Sequence, residues 1–289
     1  MEAARDNGIS IPTLCHNEGL APYGACRLCI VEVVEGKRTS VHPSCSYQVR
    51  KGLKVRTETE RIVRARRAII GFLMNRREER SEVVQGLVDR YKVKEPPTKR
   101  MIENENCIRC GLCVRACREI VGRSAISFSG LGYARKVNTP FEAQSDDCIG
   151  CGTCKIICPT GYVEVEDSHE PAPARTLKQW KTDLPLRVCR ECKNPFFPAP
   201  ALDRIRDGNV FAPPAFLDVC PSCRIPPRVD EELCTACNAC VIVCPMGAAQ
   251  FIEVDGVQKS HIYTENCCGC HSCAEVCGWG AIKLEQEEC

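Results

Sequence analysis

Four runs of cysteine carry the most specific chemistry in this sequence. Cys107, Cys110, Cys113 and Cys117 read C-x2-C-x2-C-x3-C. Cys148, Cys151, Cys154 and Cys158 repeat the spacing and add Pro159. Cys234, Cys237, Cys240 and Cys244 repeat it with Pro245, and Cys267, Cys270, Cys273 and Cys277 form the fourth copy. This is the ligand spacing of [4Fe–4S] clusters. Three cysteines at two-residue intervals sit on a tight turn, so three sulfurs converge on one cubane. The fourth follows on a short helix that points away, and in two-cluster ferredoxins it ligates the other cube. Read in pairs, Cys107, Cys110, Cys113 and Cys158 form one ligand set, and Cys148, Cys151, Cys154 and Cys117 its neighbour. Cys234, Cys237, Cys240 and Cys277 form the third set. Cys267, Cys270, Cys273 and Cys244 form the fourth. Zinc sites or disulfides are the competing reading, and four copies of one spacing argue against both. Cys117 is followed by Arg118 and Cys277 by Gly278, where proline is usual, so the local turn is open there.

A different spacing comes first. Cys15, Cys26, Cys29 and Cys45 read C-x10-C-x2-C-x15-C, three ligands early and one late, as in a [2Fe–2S] ferredoxin. The first loop is longer than the plant-type C-x4-C. Ile30 to Val34 reads as a strand and Glu35-Gly36-Lys37 as its turn. The Gly19 to Ala25 loop, rich in Gly, Pro and Ala, can bring backbone N–H groups to sulfur. A zinc site is the alternative, although zinc spacings are usually paired C-x2-C knuckles. Such a pair does occur later, as Cys189-x2-Cys192 and Cys220-x2-Cys223. It reads as one tetrahedral ion held by four thiolates, zinc first and a rubredoxin-like mononuclear iron second. Phe196, Phe197, Phe211 and Phe216 lie between the knuckles and are expected to form a small core around the ion. Two cysteines remain: Cys268 reads as a bystander thiol and Cys289 has no evident role.

These sites must be positioned by little else. Of 289 residues 26 are cysteine and only 6% are aromatic, which predicts several small modules stapled by metal rather than one large apolar core. The net charge of +2 gives no basic field for nucleic acid. No apolar run approaches the ~20 residues of a membrane span. The first residues lack an apolar signal core, which points to the cytoplasm, where clustered thiols are metal ligands more often than disulfides. No dinucleotide glycine motif, phosphate loop or catalytic residue is recognised, so no active site of the chain's own is expected. His16 and His271 adjoin candidate ligands and are expected to be exposed polar residues.

Residues 13–34 (TLCHNEGLAPYGACRLCIVEVV) and 106–161, with both later runs and the Gly130 to Pro140 segment between them, carry a resemblance. They resemble the N-terminal iron–sulfur region of the complex I large Fe–S subunit. The same stretches resemble the electron-entry region of multimeric [FeFe]-hydrogenases and the diaphorase small subunit of NAD-reducing [NiFe]-hydrogenases. The resemblance covers about the first 165 residues. Three departures matter. The His-x3-Cys-x2-Cys-x5-Cys cluster of that family is missing, since Ser46 to Asn106 holds no cysteine or histidine. The opening β-hairpin before the helix that Glu2 to Asn7 resembles is missing, as in a chain with a truncated start or an incomplete sheet. After Glu166 the chain leaves the family and adds the four-cysteine site and a second ferredoxin pair.

The expected fold class is α+β, a multi-module iron–sulfur protein. A plant-type-like [2Fe–2S] module spans 1–56, a helical connector 57–100, and a two-[4Fe–4S] module 101–165. A zinc-ribbon or rubredoxin-like module spans 187–226, and a second two-[4Fe–4S] module 228–289. Thr57 to Met74 reads as a helix with Ile62, Ile69 and Leu73 on one face. Its Arg61, Arg64 and Arg67 read as a solvated face or a docking surface for an acidic partner. Lys92 to Arg100 and Glu166 to Pro185 read as proline-marked linkers. The expected cofactors are one [2Fe–2S], four [4Fe–4S] and one zinc or mononuclear iron. The expected function is electron relay. By the resemblance, one partner is a flavin- or NAD(P)H-binding dehydrogenase subunit. The second is another redox subunit, from a hydrogenase, formate dehydrogenase or bifurcating complex. The alternatives are a fragment of a larger [FeFe]-hydrogenase or complex I-type enzyme, and a zinc-dependent scaffold or nucleic-acid-binding protein.

Overall fold

The computed structural model describes residues 1–74, 81–94, 107–208, 217–254 and 256–284. The chain divides into two compact units. The first comprises Met1–Cys148, Gly152–Val165 and Leu177–Thr182, and the second Ile149–Cys151, Glu166–Thr176 and Asp183–Cys289. No helix among the described residues is long and apolar enough to cross a membrane.

The first unit opens with α1 (Glu2–Asp6) and an antiparallel sheet of order β2-β1-β3. Its strands are β1 (Ile30–Glu35), β2 (Arg38–Pro43) and β3 (Lys54–Arg56). Glu35 pairs with Arg38, so Gly36-Lys37 is a two-residue turn, with Gly36 left-handed at φ 59° as such hairpins require. Two helices follow, α2 (Glu60–Met74) and α3 (Glu82–Tyr91). Thr59 caps α2, its hydroxyl accepting from the Ile62 N–H at 3.3 Å. In α3, Val84, Leu87, Val88 and Tyr91 are buried at the i, i+3, i+4, i+7 spacing of one face. Leu87, Val88 and Tyr91 join Leu14, Leu28, Ile70 and Met74 in one core, so the helices close the back of the first cysteine loop.

The expected apolar face of α2 needs correction. The buried residues are Ile62, Arg66, Ile70 and Met74, while Ile69 and Leu73 are half-buried beside them. An arginine occupies the centre of the stripe. Counting apolar residues rotates the face away from it, because a guanidinium is buried only where acceptors await it.

The unit continues with α4 (Leu112–Glu119), the pair β4 (Ser127–Ser129) and β5 (Lys136–Asn138), and α5 (Thr153–Ile156). Gly130 turns the chain between β4 and β5 at φ 73°, and a Cβ there would lie 2.5 Å from the Ala134 carbonyl oxygen.

A second correction concerns the stretch expected to be a linker over Glu166–Pro185. It forms most of a four-stranded sheet of order β6-β7-β8-β9. The strands are β6 (Val165–Ser168), β7 (Ala174–Leu177), β8 (Thr182–Val188) and β9 (Pro195–Pro198). Its prolines sit where a ladder tolerates them. Pro171 and Pro173 lie between strands, and Pro185 takes an exposed position of β8, whose Thr182, Leu184 and Leu186 alternate inward. The other expected linker lies outside the described residues from residue 95 onward.

The second unit adds α6 (Ala199–Gly208), β10 (Arg228–Val229), α7 (Ala239–Val243), the hairpin β11 (Ala249–Val254) and β12 (Val257–Ile262), α8 (Ser272–Glu275) and β13 (Ile282–Lys283). The last strand pairs with β10, closing the C-terminal module on itself. Its core is Cys240, Ala249, Ile262, Cys273 and Ile282, so candidate ligands are themselves part of the packing.

Candidate metal centres

The four ferredoxin-type runs share one backbone. In each, the second residue after the first cysteine and the residue after the second cysteine are left-handed. The pairs are Arg109 and Gly111, Gly150 and Gly152, Ala236 and Asn238, Gly269 and His271. Alternating the hand this way curls successive N–H groups around one point, the kind of nest that receives anionic sulfide and phosphate centres. Arg109, Ala236 and His271 accept a conformation that costs a side-chain-bearing residue about 1 kcal/mol or more. The short helix begins beside the third cysteine rather than after it: Cys113, Cys154, Cys240 and Cys273 lie in α4, α5, α7 and α8. The fourth cysteine lies at or beyond the helix end, except in α4, which runs through Cys117 to Glu119 because Arg118 stands where proline would stop it.

Three closely similar cavities lie among these cysteines, about 350, 340 and 320 Å³ including their mouths. One is lined by Cys107, Cys110, Cys113 and Cys158. Another is lined by Cys234, Cys237, Cys240 and Cys277. The third is lined by Cys244, Cys267, Cys270 and Cys273. In each, three cysteines of one run meet the last cysteine of the paired run. Cys117, Cys148 and Cys154 pack against one apolar cluster with Val163 and Trp180, and Cys151 is half-buried. Among the described residues no two cysteines form a disulfide.

The donor chemistry fits clusters. Burial first, then the neighbouring sulfurs, push the Cys113 thiol up, and burial pushes Cys110 up to about 11. Cys273 is pushed up to about 12 for the same reasons as Cys113. Thiols crowded this closely are poor as isolated acids, and bound cations favour their thiolate form. Further N–H groups already point at sulfur: Ala248 N–H to Cys244 at 3.2 Å, Ser260 N–H to Cys234 at 3.4 Å and Gly269 N–H to Cys267 at 3.4 Å. The buried Ser260 hydroxyl lies 3.1 Å from Cys240 Sγ.

At the first loop, Cys15 and Cys29 are fully buried, and Cys29 Sγ lies 3.4 Å from Cys45 Sγ. Leu14 donates its N–H to Cys26 Sγ at 3.4 Å, and Cys26 donates its N–H to Cys15 Sγ at 3.3 Å. A hydrogen bond from the Cys15 thiol holds the Cys26 pKa down, and the same bond, with burial, raises that of Cys15. Arg66 brackets the site from behind. Its Nε and Nη2 donate to the carbonyls of Leu28 and Ile30, on either side of Cys29, at 2.9 and 2.8 Å.

Within the first unit this loop is fastened to α4. Arg115, 5% exposed, donates to the carbonyls of Cys15 and Ala21 at 2.6 Å each and lies over the Tyr23 ring. Glu119 accepts the Ala21 N–H at 2.9 Å, which, with Arg118, holds its carboxyl below the usual range. Leu20, Leu112 and Ala116 pack beneath, next to Cys110. Arg115→Leu is expected to free the loop. With two charge-assisted bonds gone, amide exchange at Leu20 and Ala21 should quicken by about ten- to a hundredfold. Unchanged exchange would show that packing alone holds the loop.

The four sulfurs of Cys189, Cys192, Cys220 and Cys223 lie within 4.8 Å of one another. The Cys192 and Cys220 sulfurs are 3.8 Å apart. Two ligands ~2.3 Å from one tetrahedral ion should be ~3.8 Å apart, so the spacing fits an S4 site. Burial opposes ionisation of Cys189, but N–H groups of Cys220, Cys192 and Glu191 outweigh it and lower its pKa to about 7. Phe196 packs against this cluster as expected. Phe197 instead lies under Arg175, and Phe211 and Phe216 are outside the described residues.

Several side chains depart from expectation. His271 is 4% exposed rather than open, with its ring Nε2 3.0 Å from the Ile225 carbonyl. His16 is half-buried, and burial lowers its pKa. Cys268 is half-buried and borders the cavity lined by Cys244, Cys267, Cys270 and Cys273, with burial pushing its pKa up to about 11, while Cys289 is outside the described residues. Sequence reasoning passes over Arg66, Arg115, Trp180 and Ser260 altogether. Only Arg66 leaves a trace, as the position that completes the stripe of Ile62, Ile70 and Met74.

Comparison with known proteins agrees with the spacing. The 2Fe-2S iron-sulfur cluster binding domain matches residues 1–60, and the 4Fe-4S dicluster domain matches residues 100–165 and again 227–284. The chain is 29% identical to the NADP-reducing hydrogenase protein HndD of Solidesulfovibrio fructosivorans, covering 56% of this chain and 32% of that protein. It is 30% identical to the alpha chain of an NADPH-Fe(3+) oxidoreductase from Geobacter sulfurreducens, over 56% of this chain and 21% of that protein. A third relative is the mitochondrial 78 kDa component of NADH-ubiquinone oxidoreductase from Candida albicans, 27% identical over 63% of this chain and 28% of that protein. The chain thus spans between a fifth and a third of the length of these curated relatives.

Proposed function

We propose that this chain is an electron-relay subunit, on the premise that it carries a 2Fe-2S domain and two 4Fe-4S dicluster domains and is related to components of NAD(P)H-linked oxidoreductases. When bound, such clusters take up and pass single electrons. The observation that carries the reading is the set of three similar cavities, each lined by cysteines of both runs of a pair. In this reading Cys15, Cys26, Cys29 and Cys45 hold one [2Fe–2S]. The four crossed cysteine sets each hold one [4Fe–4S]. The S4 site holds zinc, or a single iron. The protein's own work is to hold the sulfurs in place, aim N–H groups at them and keep water from them. One redox partner is a flavin- or NAD(P)H-binding subunit meeting the N-terminal module. The other meets the C-terminal module, in a reducing compartment such as the cytoplasm.

Metal analysis with EPR, on protein made and purified without oxygen, tests this. About eighteen irons and one zinc per chain are expected, with one [2Fe–2S] signal and several interacting [4Fe–4S] signals on reduction. About nineteen irons without zinc would assign the S4 site to iron. Zinc without iron would overturn the relay.

A further inference from the structure

We propose that Trp180 is a positioning residue that raises the reduction potential of the cluster held through Cys154. This rests on the reading of Cys154 as a cluster ligand. Trp180 is 1% exposed, and its indole Nε1–H donates to Cys154 Sγ at 3.4 Å. The same residue helps to wall the cavity lined by Cys107, Cys110, Cys113 and Cys158. The indole therefore lies beside both candidate clusters of the first module but gives its one N–H to a sulfur of only one.

The residue comes from outside the dicluster domain, whose first match ends at residue 165. It is delivered by the turn between β7 and β8, and the turn is held on the end of the cluster fold. Gln179 accepts the Glu164 N–H at 2.8 Å, and Lys178 pairs with Glu164 at 3.3 Å. The buried Thr182 hydroxyl donates to the Trp180 carbonyl at 2.8 Å, and Lys181 takes a left-handed conformation to close the turn. These contacts aim the indole rather than leaving it to swing.

The direction of the effect follows from charge. Reduction adds negative charge to the cluster and its thiolates. An N–H dipole pointed at a sulfur stabilises the more negative state more strongly, and burial raises the strength of that interaction. Removing the N–H while keeping a ring should lower the potential of that cluster and leave its neighbour little changed.

The test is Trp180→Phe in the full, anaerobically loaded chain, read by an EPR-monitored redox titration. One wave should move to more negative potential while the others stay, with iron content unchanged and the melting temperature close to that of the parent. No movement, or an equal movement of every wave, overturns the proposal. Should Trp180→Phe lose iron, the benzothienyl analogue of tryptophan, in a Trp279→Phe background, removes the N–H within the same ring outline and gives the same readout. If the parent chain itself holds no iron, the relay reading has failed. Iron with an unmoved wave condemns this inference alone.

Discussion

Replacing Arg66 by methionine is expected to destabilise the first unit by about 3–5 kcal/mol, the range for breaking a buried charge network by removing one partner. The guanidinium is fully buried in α2. Besides the Leu28 and Ile30 carbonyls it donates to Glu58 at 2.7 Å and to the Tyr91 hydroxyl at 3.0 Å. Methionine fills similar space, but the two carbonyls cannot be deleted with it. They are backbone, they flank Cys29, and both belong to buried residues. Each acceptor left without a donor costs about 1–3 kcal/mol. Glu58 is 45% exposed and can turn to solvent, so it adds little. Lysine should rescue only part of the loss, because one ammonium cannot span the fork that the guanidinium makes. Denaturant titration measures the stability, and the [2Fe–2S] signal should fall with it as Cys29 loses its support. A midpoint equal to that of the parent would mean that α2 is held by its apolar contacts alone.

Cys158→Ala should remove about four irons per chain and abolish one [4Fe–4S] signal, that of the set Cys107, Cys110 and Cys113. In sequence Cys158 belongs to the run of Cys148, Cys151 and Cys154, and proximity along the chain would place it with them. In the structure it lines the cavity of the other three instead. Cys117→Ala should produce the reverse pattern and spare the Cys107 set. The two variants are compared by iron content and by which signal survives. If Cys158→Ala spares the Cys107 set and costs its sequence neighbours their cluster, the crossed assignment is wrong.

The cysteine sites are legible in the sequence because their information is local. Two-residue spacing with left-handed residues between the sulfurs makes a cluster-shaped loop within about ten residues, and Gly111, Gly150, Gly152 and Gly269 announce part of it. The β1–β2 hairpin is legible for the same reason, through Gly36. The stretch over Glu166–Pro185 misleads because proline reads as a break. Proline is compatible with a strand when its missing N–H faces away from the ladder, which depends on the partner strand and not on the segment.

Local spacing thus marks the candidate metal ligands and groups them into runs. Which buried polar groups serve those runs is settled only when the chain has folded. Arg66 reaches back 36 and 38 residues, Arg115 94 and 100, and Trp180 26. An arginine or an indole carries no address for a distant carbonyl or sulfur. It is buried only where the finished fold offers an acceptor, because an unpaired polar group costs more than its burial returns.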